Sequence, residues 1–270
     1  MIRTRDGVGL FHREIGQGAP VLFLASWSLP SDSWFQPMQA MAAAGLRAIA
    51  YDRRGHGRSE DPGRGWDYDS LADDLADVLA ALDLREVTLV AMSGAAGEAV
   101  RYLTRHGRGR VARLALLGPT TPLLVQRPDN PGGIPEAALA ALRAELARDF
   151  PLWLERNARA FGGPKPSDAL IGWICGLARQ ASLPFLLGFH RSLAETDFRA
   201  ELRALDLPVL VIQGDADETC PIELTGRPTA ELVPGARLLV VPGAPHGLIV
   251  SDPERLAAEL IAFAGLSPAG

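Results

Sequence analysis

Ser93 stands at a point in the chain where a serine could act as a nucleophile. It lies in the segment TLVAMSGAAGE (88–98), where a strand-like apolar run leads into the serine and a Gly/Ala run that could open a helix follows. A serine on a sharp turn between a strand and a helix is typical of a nucleophile elbow, usually written G-x-S-x-G. Both flanking glycines are alanines here, Ala91 and Ala95. Taken alone, the segment leaves open whether Ser93 is a nucleophile or only caps the helix, since serine is a common N-cap.

A third interpretation of this segment, a dinucleotide-binding loop, does not fit the sequence. Gly94 and Gly97 supply the second half of the fingerprint G-x-G-x-x-G, but Met92 stands where the first glycine belongs. The next strand-like run ends in LLGPTT, which places no Asp or Glu to bind a ribose. We therefore set this interpretation aside.

Partners for Ser93 follow later in the chain, in the order serine, acid, histidine that accompanies a nucleophile elbow. His246, in VPGAPHGLIV (241–250), follows the last strand-like run, where a general base would lie at the carboxyl edge of a sheet. Asp215 and Asp217, in IQGDADET (212–219), follow the run before it. Asp215 suits a turn that binds backbone amides, whereas Asp217 lies further out and is better placed to reach an imidazole. The other histidines lie on an early strand, in an arginine-rich turn before the elbow, at a helix end and in a helical insert: His12, His56, His106 and His190.

Composition limits the class of protein. A chain of 270 residues with 47% hydrophobic residues can bury a full core in one large domain or two. The net charge of −5 argues against a nucleic-acid partner, which calls for a basic surplus. Cys175 and Cys220 match no metal or redox spacing and fit a reducing compartment.

Nothing in the sequence indicates export or a membrane span. The N-terminal residues MIRTRDGVGLFHREIG contain no apolar core of a signal peptide. The most apolar stretch, 169–189, is interrupted by Arg179, Gln180 and Pro184, so it predicts two short helices with an apolar face. We expect a cytoplasmic protein with no membrane partner.

Apolar runs alternate with helical patterns along most of the chain. The predicted strands are 8–15, 20–26, 46–52, 87–92, 111–118, 208–214 and 236–242, and the predicted helices include 70–83, 95–106, 222–232 and 253–264. Most strands are continuously apolar, as in a mainly parallel sheet with helices on both faces. Residues 119–205 contain only helical patterns. We therefore predict an α/β core, 1–118 and 206–270, and a helical cap, 119–205, inserted before the last two strands and lying over the ligand-binding edge of the sheet.

Several segments together resemble the bacterial aryl esterases and cofactor-free haloperoxidases (perhydrolases) of the α/β-hydrolase superfamily. They are AYDRRGHGRSE, EVTLVAMSGAAGEAVRYLTRHG, RLALLGPTTPL, AETDFR, VLVIQGDADETCPIELTG and GAPHG, and the match runs nearly from end to end. The resemblance implies the α/β-hydrolase fold and a triad in which Ser93 is the nucleophile, Asp217 the acid and His246 the base. It also implies an oxyanion hole formed by the backbone N–H groups of Trp27 and Gly94.

The chain departs from this family around the implied oxyanion hole. Ala25 and Ser26 replace the usual His-Gly pair before the tryptophan, and Gly94 stands where the family often has methionine. Neutral exchange among small residues and a changed acyl site are both compatible with these departures. They bear on the substrate more than on the type of reaction.

The predicted function is hydrolysis of small carboxylic esters by acyl transfer, with perhydrolysis as a side activity implied by the resemblance. No metal and no organic cofactor is expected, and the expected partner is a small-molecule ester; a homo-oligomer is left open. A lactonase or amidase, a cyclase or lyase on the same fold, and a non-catalytic ligand-binding relative remain as alternatives. The predicted pocket residues, beside Trp27, are Ser28, Leu124, Trp153, Phe161, Thr219 and Ile222.

Overall fold

A computed structural model describes residues 1–265; the last five residues of the second predicted core segment, 266–270, lie outside the described residues. The strands are Ile2–Arg3 (β1), Gly9–Leu10 (β2), His12–Ile15 (β3), Pro20–Leu24 (β4), Arg47–Tyr51 (β5), Val87–Met92 (β6), Val111–Leu117 (β7), Val209–Gly214 (β8) and Arg237–Val241 (β9). The helices are Phe35–Ala43 (α1), Tyr68–Ala81 (α2), Ala95–His106 (α3), Glu136–Arg148 (α4), Phe150–Gly162 (α5), Asp168–Ala178 (α6), Leu183–Glu195 (α7), Arg199–Arg203 (α8), Gly226–Leu232 (α9), Leu248–Ser251 (α10) and Pro253–Phe263 (α11), with a 3₁₀ helix at Ser31–Trp34.

A seven-stranded sheet in the order β3-β5-β4-β6-β7-β8-β9 forms the centre of the molecule. The strand β3 runs antiparallel to β5, and every other neighbouring pair in this sheet is parallel. All residues of β6 and β8 are buried, because helices cover both faces of the sheet. The predicted α/β-hydrolase architecture, a mainly parallel sheet with helices on both faces, is confirmed.

Two predicted elements differ from the observed ones. The strand predicted over 8–15 is two strands, because the N–H of Phe11 bonds to the hydroxyl of Ser59 instead of a neighbouring strand. As a result β2 pairs with β1 in a separate two-stranded sheet, and β3 joins the main one. The helix predicted over 222–232 begins only at Gly226, since the preceding residues form hydrogen-bonded turns.

Five helices, α4 to α8, follow one another between β7 and β8, and residues 119–205 contribute no strand to the sheet. We propose that they form the predicted cap, because four of them line the cavity described below. No helix within residues 1–265 is by itself long and apolar enough to cross a membrane. Helices α6 and α7 meet that length and composition only when taken together, and they are bent by 93° relative to each other.

Candidate active site

Ser93 occupies the turn that joins β6 to α3. Its φ of +58° lies in the left-handed region, which non-glycine residues seldom adopt, and the turn is held by a 2.8 Å hydrogen bond from the Ser93 N–H to the Leu117 carbonyl. Ala91 and Ala95 on either side are fully buried. Their small side chains allow β6 and α3 to pass closely, which is the packing that a strained nucleophile elbow needs.

His246 and Asp217 form a buried pair at the carboxyl edge of the sheet. The His246 Nδ1 lies 2.8 Å from the Asp217 Oδ2, and both side chains are at most 1% exposed. The carboxylate can only accept here, so Nδ1 carries the proton and Nε2 is the basic nitrogen. Within residues 1–265 the buried Nε2 has no hydrogen-bond partner. The imidazole is thus in the tautomer that can accept a proton from a serine hydroxyl.

Gly118, at the end of β7, provides the space for this pair. A Cβ at Gly118 would lie 3.0 Å from the His246 Nδ1 and 3.3 Å from the Asp217 Oδ2. The φ of Gly118 is +46°, which also favours glycine. Any larger residue at this position would displace the imidazole or the carboxylate.

Gln213 is a site residue that the sequence reasoning missed. It is fully buried on β8, and its Nε2 donates to the Asp217 Oδ2 at 3.0 Å and to the Cys220 carbonyl at 2.5 Å. The other oxygen, Asp217 Oδ1, accepts from the Cys220 N–H at 2.7 Å. A glutamine in an otherwise apolar strand was the available clue, because a buried amide must have partners. These contacts orient the carboxylate toward His246.

Asp215 plays a different part from Asp217. It is exposed, and its Oδ1 accepts a 2.6 Å hydrogen bond from the Gly243 N–H, which ties together the turns after β8 and β9. Only Asp217, of the two candidate acids, contacts His246. The structure therefore brings together the pair that the sequence analysis favoured, and it places Asp215 in a turn.

A buried ion pair lies beneath the loop after β4, which contains Trp27. Arg53 donates to Glu98 of α3 at 2.9 Å, to the Ala25 carbonyl at 2.9 Å and to the Ser26 carbonyl at 3.4 Å. Glu98 also accepts a hydrogen bond from Tyr51. Because the Ser26 carbonyl and the Trp27 N–H belong to one peptide unit, Arg53 orients the donor that the resemblance assigns to the oxyanion hole. The sequence analysis did not identify this role.

The carbonyl of Trp27 is held by a second side chain of the same arginine-rich turn. The His56 Nε2 lies 2.8 Å from the Trp27 oxygen, and the His56 Nδ1 lies 3.0 Å from the Arg54 oxygen. Complete burial, together with the charge of Arg53, lowers the pKa of His56 to about 4, so this imidazole is neutral at pH 7. The Trp27 indole donates to the Leu186 carbonyl at 3.1 Å, which fixes the loop against the cap.

Gly94, the second implied oxyanion donor, is the N-cap residue of α3. Tyr68 donates a 2.9 Å hydrogen bond to its carbonyl and so fixes the orientation of the peptide. A Cβ at Gly94 would lie 3.4 Å from the Phe189 ring. This is an ordinary van der Waals separation, so the contact with α7 does not by itself explain why glycine stands where the family often has methionine.

A cavity of about 380 Å³ lies between the elbow and the cap helices, and both Ser93 and His246 line it. Of the predicted pocket residues, it is lined by Ser28, Leu124, Trp153, Phe161 and Thr219. Ile222 is buried and does not line the cavity, because it lies in the turns that precede α9. Phe161 at the end of α5 packs edge-on against the His246 ring, with centroids 5.8 Å apart, so α5 contacts the loop that carries His246.

No group of three or more His, Cys, Asp or Glu side chains within residues 1–265 is arranged to hold a metal ion. The polar side chains that line the cavity include those of Ser26, Ser28, Ser93, Thr120 and His246. Hydroxyl and imidazole groups at a strained turn are suited to acyl transfer.

Two curated relatives match nearly the whole chain. A non-heme chloroperoxidase of Kitasatospora aureofaciens is 37% identical over 269 residues, covering 96% of this chain and 97% of the relative. A bifunctional esterase/perhydrolase of Acinetobacter calcoaceticus is 32% identical, covering 97% of this chain and 98% of the relative.

Solved structures show the same likeness. The bromoperoxidase from Bacillus anthracis superposes with a TM-score of 0.93 at 30% identity, over 97% of this chain and 98% of that one. An esterase from Exiguobacterium antarcticum gives a TM-score of 0.94 at 29% identity, over 98% of both chains. Residues 21–259 match the family described as the alpha/beta hydrolase family. The chain, with its serine elbow, its Asp–His pair and its mainly parallel sheet, belongs to the alpha/beta hydrolase family.

Proposed function

We propose that this protein is a carboxylic ester hydrolase that acts through a Ser93, His246 and Asp217 triad. The observation that carries the proposal is the buried Asp217–His246 pair, whose Nε2 has no hydrogen-bond partner within residues 1–265. His246 lines the same cavity as the strained Ser93. The relatives named as an esterase/perhydrolase and an esterase support this activity.

The reaction proceeds in two acyl-transfer steps. His246 Nε2 takes the proton from the Ser93 hydroxyl as its oxygen attacks the ester carbonyl, and Asp217 stabilises the imidazolium that forms. The N–H groups of Trp27 and Gly94 bind the oxyanion, and each such donor lowers the barrier by about 3 kcal/mol. Collapse of the intermediate expels the alcohol, which receives the proton from His246. Water then attacks the acyl-enzyme with His246 as base and releases the carboxylic acid.

Perhydrolysis follows from the same acyl-enzyme when hydrogen peroxide replaces water. The peroxide oxygen attacks the acyl carbon while His246 takes its proton. The intermediate then collapses, the bond to Ser93 breaks, the Ser93 oxygen receives the proton from His246, and the peracid is released. The names of the chloroperoxidase, bromoperoxidase and esterase/perhydrolase relatives support this side activity. Comparing peracid formation from acetate esters in the wild type and in Ser93→Ala tests it, because a shared acyl-enzyme predicts that both activities disappear together.

The cavity supports short acyl chains with an aromatic or bulky leaving group as substrates. Its walls are mostly apolar, and each further methylene buried there contributes about 0.8 kcal/mol until the 380 Å³ is filled. We expect kcat/KM to rise over the first few acyl carbons of 4-nitrophenyl esters and then to fall sharply. A preference for acyl groups of eight or more carbons would contradict this assignment of the pocket.

Hydrolysis of 4-nitrophenyl acetate, together with labelling by a fluorophosphonate, tests the proposed activity. The wild type should turn over the ester and carry the probe on Ser93, whereas Ser93→Ala should lose both while keeping its thermal unfolding profile. Wild-type protein that neither hydrolyses esters nor reacts with the probe would refute the hydrolase and leave a ligand-binding relative. Labelling of Ser93 without hydrolysis of any ester, lactone or amide would favour non-hydrolytic chemistry on the same triad.

A further inference from the structure

His190, on the cap helix α7, lines the cavity at some distance along the wall from the triad. Its Nδ1 is buried and has no hydrogen-bond partner within residues 1–265. Neighbouring walls of the cavity are aliphatic and come from the segment after β7 and from α4 and α7: Leu124, Ile134, Leu139, Leu142 and Leu193. A buried polar atom in apolar surroundings costs free energy unless it has a hydrogen-bond partner. A histidine is therefore not expected in the wall of a purely apolar pocket.

Aromatic packing holds His190 beside the oxyanion loop. Its ring meets the Trp27 ring edge-on, with centroids 6.0 Å apart, and Trp27 also meets Trp153 edge-on at 5.7 Å. Trp27 therefore contacts His190 through its ring, while its backbone N–H is the implied oxyanion donor. A substrate whose carbonyl is bound at that N–H lies in the cavity that His190 also lines.

The charge of the imidazole limits what it can bind. Burial, together with the nearby charge of Arg143, lowers the pKa of His190 to about 4, so the ring is neutral at pH 7. Arg143 is paired with Glu136 through Nη2 at 2.5 Å, its buried Nη1 has no hydrogen-bond partner within residues 1–265, and Arg143 does not line the cavity. A neutral imidazole presents one donor and one acceptor on different sides of the ring, and a hydroxyl group can bond to either of them. A carboxylate would find no net positive charge on the cavity wall at this point.

We propose that His190 is a specificity residue that hydrogen-bonds an uncharged hydroxyl on the substrate, so that the enzyme prefers hydroxylated esters over esters with a methyl group in that place. This inference rests on the proposed ester hydrolysis and deepens it by naming the substrate class. A substrate that leaves a buried polar group of the site without a hydrogen bond is strongly rejected. An apolar wall rejects substrates of the wrong size much less strongly.

Matched pairs of ethyl esters test the proposal. The pairs are 2-hydroxypropanoate with 2-methylpropanoate, 3-hydroxybutanoate with 3-methylbutanoate, and 5-hydroxyhexanoate with 5-methylhexanoate; 2-hydroxyethyl and propyl butanoate place the hydroxyl on the alcohol side. The quantity measured is kcat/KM for the hydroxylated ester divided by kcat/KM for its methyl partner. An overall change in activity caused by a variant largely cancels in this ratio. We expect the wild-type ratio to exceed that of His190→Phe by at least fivefold (about 1 kcal/mol) for one pair or more.

Two further variants make the result specific. Phenylalanine keeps the edge-on packing against Trp27 but removes both ring nitrogens. His190→Gln restores a donor and an acceptor and should recover part of the preference. Leu152→Met, a change of similar volume on the exposed part of α5 outside the cavity lining, is the control and should keep the wild-type ratio. The subsite is refuted if the esters are hydrolysed but the kcat/KM ratio changes by less than fivefold in His190→Phe for every pair. That result would leave the proposed hydrolase intact.

A binding measurement separates the subsite from the reaction. In Ser93→Ala, ligand binding can be followed by tryptophan fluorescence, because Trp27 and Trp153 line the cavity. The hydroxylated member of the preferred pair should bind at least fivefold more tightly than its methyl partner, and adding His190→Phe should abolish the difference. Equal binding of both members of every pair would refute the role of His190. Unequal binding without turnover in the wild type would instead refute the proposed hydrolase.

Discussion

Replacing Asp217 with asparagine changes one atom of a carboxylate that accepts three hydrogen bonds. Oδ2 accepts from His246 Nδ1 at 2.8 Å and from Gln213 Nε2 at 3.0 Å, and Oδ1 accepts from the Cys220 N–H at 2.7 Å. The new amide nitrogen is a donor, so wherever it lies it faces at least one other donor. Which of the two orientations the amide takes decides the effect on activity.

The amide nitrogen should take the place of Oδ2. In the place of Oδ1 it would leave the buried Cys220 N–H without a partner, at a cost of about 1–3 kcal/mol. In the place of Oδ2 it displaces only one contact of Gln213 Nε2, which keeps the Cys220 carbonyl and the Thr225 hydroxyl as acceptors. His246 relieves the remaining conflict by moving its proton to Nε2. The imidazole then cannot accept the proton of Ser93, and we expect kcat/KM to fall by about 10⁴-fold.

The assay is ester hydrolysis combined with urea unfolding, and Asp215→Asn is the matched control. Asp217→Asn should lose activity while its free energy of unfolding changes by about 1 kcal/mol, since the fold keeps the Cys220 contact. Asp215→Asn should keep kcat/KM within about threefold and lose about 1 kcal/mol of stability, because it weakens only the bond to the Gly243 N–H. More than a tenth of wild-type activity in folded Asp217→Asn would refute this reasoning, and the reverse pattern would make Asp215 the acid.

Three further predictions follow from single contacts of the site. Gly118→Ala places a Cβ 3.0 Å from the His246 Nδ1, so kcat for an ester should fall at least tenfold; wild-type turnover would contradict the close approach. Lysine in Arg53→Lys cannot bond to Glu98 and to two carbonyls at once, so kcat should drop about tenfold with KM little changed. An unchanged kcat would show that the Trp27 peptide does not need the contacts of Arg53. The third concerns pH. The pKa of His190 is about 4 in the folded protein and about 6.5 in the unfolded chain. As the pH falls, His190 therefore takes up a proton in the unfolded chain first, which lowers the free energy of unfolding of the wild type. His190→Phe has no such group and does not lose stability through it. Urea unfolding should therefore show His190→Phe gaining about 3 kcal/mol relative to wild type between pH 7 and pH 4, and a constant difference would contradict the lowered pKa.

Local pattern in the sequence, together with the family resemblance, predicts the residues of the proposed site. The strand before Ser93 and the helix after it are visible in TLVAMSGAAGE, and the chain order of Ser93, Asp217 and His246 is fixed by the sequence itself. The parallel sheet also follows from continuous apolar runs separated by helical patterns, because strands buried on both faces need no polar alternation. The break at Phe11 was not predictable in this way, since it depends on a bond to Ser59, a residue distant in the chain.

The tertiary structure alone decided what depends on side-chain direction and on residues far apart in the chain. The sequence analysis favoured Asp217 over Asp215 from their places in one turn, but the burial of Asp217 against His246 and the exposure of Asp215 are seen only in the fold. The same holds for His190, whose place beside Trp27 arises from packing between segments separated by more than half of the chain. Sequence pattern specifies local backbone and burial over a few residues, whereas a site is an arrangement of atoms within a few ångströms. Such an arrangement exists only after the helices of the cap have packed over the sheet.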